Sequence, residues 1–388
     1  MFLPPSSPSS SEPPWTRTSR RSLADRIVDA LRYLSDEIEV RRVGGLGEAQ
    51  AAGYIAGRLR RADFAAAVQS FRASSSSQAS VAIIAALGMI AGVIGGLWQA
   101  LVGSIIAAVL VAGALVWLVI DLLGSDPLRS NLPGKTSQSV VGGRAATGRD
   151  ARLRVLVVAP LNSSPPAVLH RTGVIALLVG LLLCGTAIVG TIASAAPIWR
   201  VSAIGSGALL GVLWLWIMRR LVRPAPIPAI HGAGALATLL MIAEELPPLT
   251  TIEVWAIAVG GSATSPESID ALLQRYPFTA HDTCVINLHD IGTGQPCFVT
   301  REGVLREQRA DRMLLALADA TDAANPALDA VPCQLRQRTL AYSLLRLGFP
   351  ALTISSQPDT PTFASPDATT IERCVRLVVG MVRALDEP

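Results

Sequence analysis

Four histidines and five cysteines carry the sharpest chemistry in this 388-residue chain. The cysteines, Cys184, Cys284, Cys297, Cys333 and Cys374, are odd in number and form no CxxC pair, and one lies inside an apolar stretch. That pattern argues against a disulfide framework or a structural zinc site and for reduced thiols. His289 and Asp290 stand side by side after the segment Val285–Leu288. An imidazole there is either a hydrogen-bonding structural residue or a metal ligand. His231 precedes the Gly232-Ala233-Gly234 cluster, which has no strand directly before it and is a weak dinucleotide signal. His281 reads as an exposed loop residue and His170 as interfacial. No G-x-S-x-G elbow and no P-loop occurs, so neither a serine hydrolase nor a phosphate cradle is legible.

Four stretches, near Val81–Trp98, Leu101–Ile120, Gly173–Ala195 and Val201–Met218, are apolar and free of Lys, Arg, Asp and Glu. Each approaches the ~20 residues that span ~30 Å of hydrocarbon. They come as two tight pairs, so the chain divides into a tail at 1–21, hairpins at 81–120 and 173–218, and one α/β domain assembled from 22–80, 121–172 and 219–388. The Pro/Ser-rich start cannot bury a core and reads as a disordered tail. Residues 1–80 hold eleven Arg and residues 121–172 hold seven Lys or Arg, and Arg219, Arg220 and Arg223 follow the last span. The short turns at Gln99–Ala100 and Ala196–Arg200 hold only Arg200. Basic residues flank spans on the cytoplasmic side, so the expectation is an integral membrane protein whose soluble domain and both termini are cytoplasmic. Trp98, Trp117, Trp199, Trp214 and Trp216 lie near span ends, as interfacial anchors do. The Arg residues sit next to membrane without interleaved aromatics, so the lipid bilayer, not nucleic acid, is the expected partner.

In the soluble segments Ser22 caps an expected amphipathic helix to about Ile38, and a second helix runs from Glu48 to about Arg61. Strands are expected at Ala66–Arg72, Ser137–Ala145, Arg152–Pro160, Thr251–Gly260, Thr283–Leu288, Cys297–Thr300 and Pro350–Ser355. Helices are expected at Ala235–Leu246, Pro266–Gln274, Leu305–Ala320, Leu340–Leu347 and Thr369–Leu385. Alternation at this spacing argues an α/β fold with a mostly parallel sheet between helical layers and four inserted membrane helices. In such a sheet the ligand crevice lies beyond the carboxyl ends of the strands. The positions concerned are Pro160–Ser164, Gly260–Ser265, His289–Gly294 and Ser355–Asp367.

The order of these segments resembles the two-zinc aminopeptidases of metallopeptidase family 28, whose membrane relatives include nicalin and nicastrin. "RVGGLGEAQAAGYIAGRLRRADFAAAVQSF" is similar to that family's opening turn, helix and strand. "VINLHDIGTG" is close to its Ile-Asn-Leu-Asp-x-Ile-Gly, and "GFPALTIS" to Gly-Ile-Pro-Ala-Leu. "TFASPDATTIERCVRLVVGMV" matches the closing His-Thr-x-x-Asp-Thr region. The resemblance implies about five His or carboxylate ligands for two zincs and a Glu that activates water. Carried over residue by residue, the His-x-Asp position is Pro160 and Asn162, and the bridging Asp falls near His231. The Glu-Glu pair is Gly260 and Gly261. The Asp after Ile-Asn-Leu is His289 with Asp290, and the final His falls at Phe363 or Ala364. Glu267, the nearest carboxylate, belongs to the first turn of the next helix.

These departures imply a degenerate member: a pseudoenzyme without cofactor or catalytic residue, binding a peptide or a membrane-protein partner in a vestigial crevice. The alternative is an active zinc metallopeptidase with a divergent site, for which His231, His289 and Asp290 are the remaining metal candidates. A transporter needs strongly polar residues inside the spans, which offer little beyond Ser, Thr and Gly.

Overall fold

The computed structural model describes residues 22–387 except 39, 75–76, 99–100, 124–133, 149–150, 164–170, 195, 223–231, 262–265, 304–305 and 358–365. The expected tail at 1–21 therefore lies outside the described residues. Strand β1 (Ala65–Ser74) precedes the first apolar pair, and β2 (Gly134–Arg144) and β3 (Leu153–Pro160) lie between the pairs. β4 (Ile252–Val259), β5 (Thr283–Leu288), β6 (Gln295–Glu302), β7 (Gln308–Arg309), β8 (Val331–Leu335) and β9 (Ala351–Gln357) follow the second. All nine form one sheet in the order β1-β2-β4-β3-β5-β9-β6-β7, with β8 on β6. The central block β4-β3-β5-β9 is parallel, with antiparallel ladders at the flanks (β1 on β2, β2 on β4, β6 on β9, β7 on β6).

Composition explains the centre. β5 (TCVINL) is buried along its whole length, as is β3 over its last six residues, and only near-continuous apolar runs survive with helices on both faces. One face packs against α1 (Leu23–Arg32), α2 (Leu46–Arg61), α7 (Ala233–Glu245), α9 (Arg312–Ala324) and α11 (Ala368–Asp386). The other packs against α8 (Pro266–Arg275) and α10 (Leu340–Arg346). Ser22 caps α1 as expected, through a reciprocal pair with Asp25. The helix then loosens into a π-helical turn at Tyr33–Glu37. One expected helix starts late: the segment 305–311 holds β7, and α9 begins only after Asp311, whose side chain caps Met313 and Leu314. The helix starts where the Asp311 carboxylate can accept from its first free N–H groups. β8 (VPCQL), only five residues long and interrupted by Pro332, was not expected.

Between these strands stand α3 (Ser77–Leu97), α4 (Leu101–Leu123), α5 (Arg171–Ala193) and α6 (Pro197–Val222). All four are long and apolar enough to cross a membrane, with windows of mean hydropathy from 1.9 to 2.6. They share an apolar cluster of their own, built around Ile84, Leu118, Leu181, Ile188 and Leu210. At its centre α3 and α6 touch backbone to backbone: a Cβ on Gly92 would lie 2.6 Å from Gly207 Cα. Without a hydrophobic drive between helices in lipid, such close approach of small residues supplies the packing energy. Val109, Val189, Val201 and Val212 point outward, each about two-thirds exposed, as lipid-facing side chains do.

Candidate functional site

The carboxyl ends of β3, β4, β5 and β9 lie side by side, so the residues just beyond them form the floor of the crevice. Pro160 ends β3 opposite Val259, and its ring nitrogen has no lone pair to give a metal. Asn162 is buried; its Nδ2 donates to the Arg41 carbonyl at 3.2 Å, while Oδ1 has no hydrogen-bond partner among the described residues. The Ser163 N–H donates to the same carbonyl at 3.0 Å. Arg41 is itself fully buried and donates from Nε to Leu161 O (3.1 Å) and from Nη1 to Leu34 O (2.8 Å). Burial lowers its pKa to about 10, leaving it charged at neutral pH. It ties the end of the first helical segment to the loop after β3, a part sequence reasoning missed because an Arg pair in a loop carries no pattern.

Gly260 and Gly261 follow β4. The Gly260 N–H donates to Ser139 Oγ at 3.0 Å, and a Cβ at this position would sit 1.8 Å from the Gln138 carbonyl oxygen. Gly261 has φ +79°, in the left-handed region that favours glycine. On this backbone, position 260 has no room for a carboxylate side chain. Glu267 lies in the first turn of α8, where the helix dipole favours it. Asp270, one turn on, has its carboxyl pushed up by burial and by the Glu267 charge. A cleft of about 350 Å³ opens beside this strand end, lined by Gln69, Phe71, Ser139, Ser268 and Arg275 among others.

His289 follows β5, with its N–H bonded to Ile354 O on β9 at 3.0 Å. Its Nε2 lies 3.2 Å from Asp290 Oδ2 and 2.7 Å from Gln337 Nε2, and Gln337 also reaches Asp290 Oδ2 at 3.3 Å. Asp290 has a positive φ of +45°, which turns the chain sharply under the site. Beneath it sits a buried polar group that sequence reasoning missed. Glu302, at the end of β6 and 2% exposed, accepts from Thr339 Oγ1 (2.6 Å) and Thr353 Oγ1 (3.3 Å), and Thr353 accepts from Asn287 Nδ2 (3.1 Å). Burial raises the Glu302 pKa against the opposing effects of its two Thr partners and His289. Burial alone would lower the His289 pKa, but the charge and hydrogen bond of Asp290 and the charge of Glu302 hold it above the ordinary imidazole value. Glu302 carried no advance signal, since it falls beyond the expected strand Cys297–Thr300 and follows the polar pair Thr300-Arg301.

The start of α7 also reaches the crevice: a Cβ on Gly232 would lie 3.6 Å from Asn162 O, and one on Gly234 would lie 1.9 Å from Ile291 O. His231, Phe363 and Ala364 lie outside the described residues. Among the described residues no three His, Cys, Asp or Glu side chains converge as a metal site. The described floor thus brings together Pro160, Asn162, Gly260 and the His289–Asp290 pair. That donor set does not fit two zincs: of these residues only His289 and Asp290 offer good ligand atoms.

This strand order, with helices on both faces and a crevice over the parallel centre, has solved counterparts. A zinc aminopeptidase from Bacillus subtilis superposes with a TM-score of 0.55 at 11% identity, over 94% of this chain and 96% of that one. An aminopeptidase from Aneurinibacillus sp. strain AM-1 gives 0.53 at 12%, over 92% and 93%. The fold is zinc aminopeptidase-like. A glutaminyl cyclase from Macrostomum lignano shares it, at a TM-score of 0.52, 13% identity and coverage of 99% and 96%. No family model matches the chain, and no curated protein matches it.

Proposed function

We propose that this protein is a membrane-anchored, aminopeptidase-like module that binds a peptide or a partner protein without hydrolysing it. The 22–80, 121–172 and 219–388 segments form its cytoplasmic domain, and hairpins 81–120 and 173–218 hold it in the bilayer. One observation carries the non-catalytic reading. Where the resemblance calls for the water-activating carboxylate, the chain has Gly260, packed so closely on Gln138 that no side chain fits. General-base help is worth ~10²–10⁴ in rate, and the metals that would generate the nucleophile have lost the His-x-Asp pair to Pro160 and Asn162. The four apolar helices support the anchoring. The vestigial crevice keeps hydrogen-bonding groups suited to peptide backbone, notably Asn162, His289 and Asp290.

The second reading, an active zinc enzyme, rests on the His289–Asp290 contact with His231 one residue before Gly232. One experiment separates the two. Full-length protein purified in detergent is assayed for zinc per chain, for release of amino acids from aminoacyl substrates and for cyclisation of N-terminal glutamine. The binding reading expects less than one zinc and no turnover. Zinc-dependent turnover that disappears in His289→Ala would establish the enzyme instead.

A further inference from the structure

Both membrane hairpins leave the α/β domain from the same edge of the sheet. β1 ends at Ser74 where α3 begins at Ser77, and α4 returns to the start of β2. β2 runs antiparallel to β4, so its start lies at the carboxyl end of the central strands. α5 follows the end of β3, and α6 returns to the start of α7, beside Asn162. Three Cα–Cα steps separate Ser74 from Ser77, so α3 starts within about 11 Å of the end of β1. The apolar window begins at Ser80, one turn later. The edge that carries the crevice is therefore the edge tethered to the bilayer.

The register adds a height. β2 pairs Val140 with Ala258, so Gly134 lies five positions beyond the residue facing Val259, the last of β4. At ~3.4 Å per residue the β1–β2 ribbon rises about 17 Å above the crevice floor. Its tip is basic: Arg72 pairs with Thr136 and Lys135 with Ala73, and both charged residues are exposed. The loop after the first helical segment reaches the same height, since a Cβ on Gly44 would lie 3.0 Å from Lys135 Cβ. This loop carries exposed Arg42, and Leu46 beyond it is 67% exposed. Cations around a projecting apolar side chain, at the point where a chain enters the bilayer, are the chemistry of an interfacial contact.

We propose that the rim formed by Arg42, Leu46, Arg72 and Lys135 rests on the headgroup layer of the bilayer that the chain spans, with preference for anionic lipid. The crevice then becomes a vestibule between the sheet and the membrane, entered from the side. This rests on the reading of α3–α6 as membrane spans, and the test keeps the two apart. The full chain is reconstituted in vesicles of phosphatidylcholine and phosphatidylglycerol containing a headgroup-nitroxide lipid. A fluorophore is placed on Leu46→Cys or, at the opposite end of the sheet, on exposed His281→Cys; the native cysteines are buried. The proposal expects quenching at position 46 and none at 281. It also expects quenching at 46 to deepen with phosphatidylglycerol content and to lose that dependence in Arg42→Gln/Arg72→Gln/Lys135→Gln. Equal quenching at both positions, or none at 46, overturns the rim contact, and quenching at 46 indifferent to lipid charge overturns the anionic preference. Alkaline carbonate extraction of the same samples reads the spans independently. A chain that washes off refutes the spans, while one retained without quenching at 46 refutes the rim alone.

Discussion

Position 260 has no space above its Cα, and this has a measurable consequence. Gly260→Ala and Gly260→Glu both drive a Cβ into the Gln138 carbonyl. Each is expected to destabilise by about 3 kcal/mol, the upper range for overpacking, read as a fall in the thermal midpoint of detergent-purified protein. A Glu accepted at 260 without loss would show that the strand end can reopen for a catalytic carboxylate. His289 supplies a pH dependence. Its folded pKa is raised above 6.5 by Asp290 and Glu302, against burial. The stability it contributes is complete below that value and lost as pH rises through the raised one. Glu302, raised above 4.5 chiefly by burial, also favours the folded state less as pH rises. The thermal midpoint should therefore fall as pH rises above about 4.5, through Glu302, and further above about 6.5, through His289, and His289→Asn should flatten the upper part of that fall. An unchanged slope in the variant would show that His289 does not titrate against this cluster.

Among elements, α3 and α6 meet through a glycine contact. Gly92→Leu cannot coexist with Gly207 Cα at the present spacing. It should separate α3 from α6 and uncover Cys184, which is buried and faces Gly88 O at 3.8 Å. A thiol-reactive fluorophore, followed during heating, should then react at a lower temperature than in the parent. Elements with a strong period or a long apolar run were legible in the sequence: β3, β4 and β5 fall within two residues of expectation, as does α8. Those governed by a local contact were not. The start of α9 depends on the Asp311 cap, and β8 exists because β6 offers it a partner. The π-helical turn after α1 interrupts a pattern that reads as continuous helix.

For the whole molecule, the arginine distribution expects the turns at 99–100 and 196–200 outside the cytoplasm. Ala196→Cys should react with an impermeant thiol reagent on intact cells, and labelling seen only after permeabilisation would reverse the topology. The fold was legible because its signals are spread over many residues: alternation of strands and helices, four long apolar segments, several motifs in order. The candidate site was legible only where a motif survives, as in "VINLHD". Its supporting groups, Arg41, Glu302, Gln337 with Thr339, and Thr353, come from four separate segments. Only the sheet order brings them together, and sheet order is not written in local pattern.

The same order sets a timetable for biosynthesis. β3 is complete at Pro160, yet both its partners, β4 and β5, come later, and β4 starts only at Ile252. About 90 residues separate them, with hairpin 173–218 in between. At about 5–20 residues per second, this central and largely buried strand waits roughly 5–20 s beside the insertion machinery with its backbone unpaired. Ribosomal pausing, chaperone dependence and sensitivity to slow insertion of α5 and α6 should all concentrate in that interval.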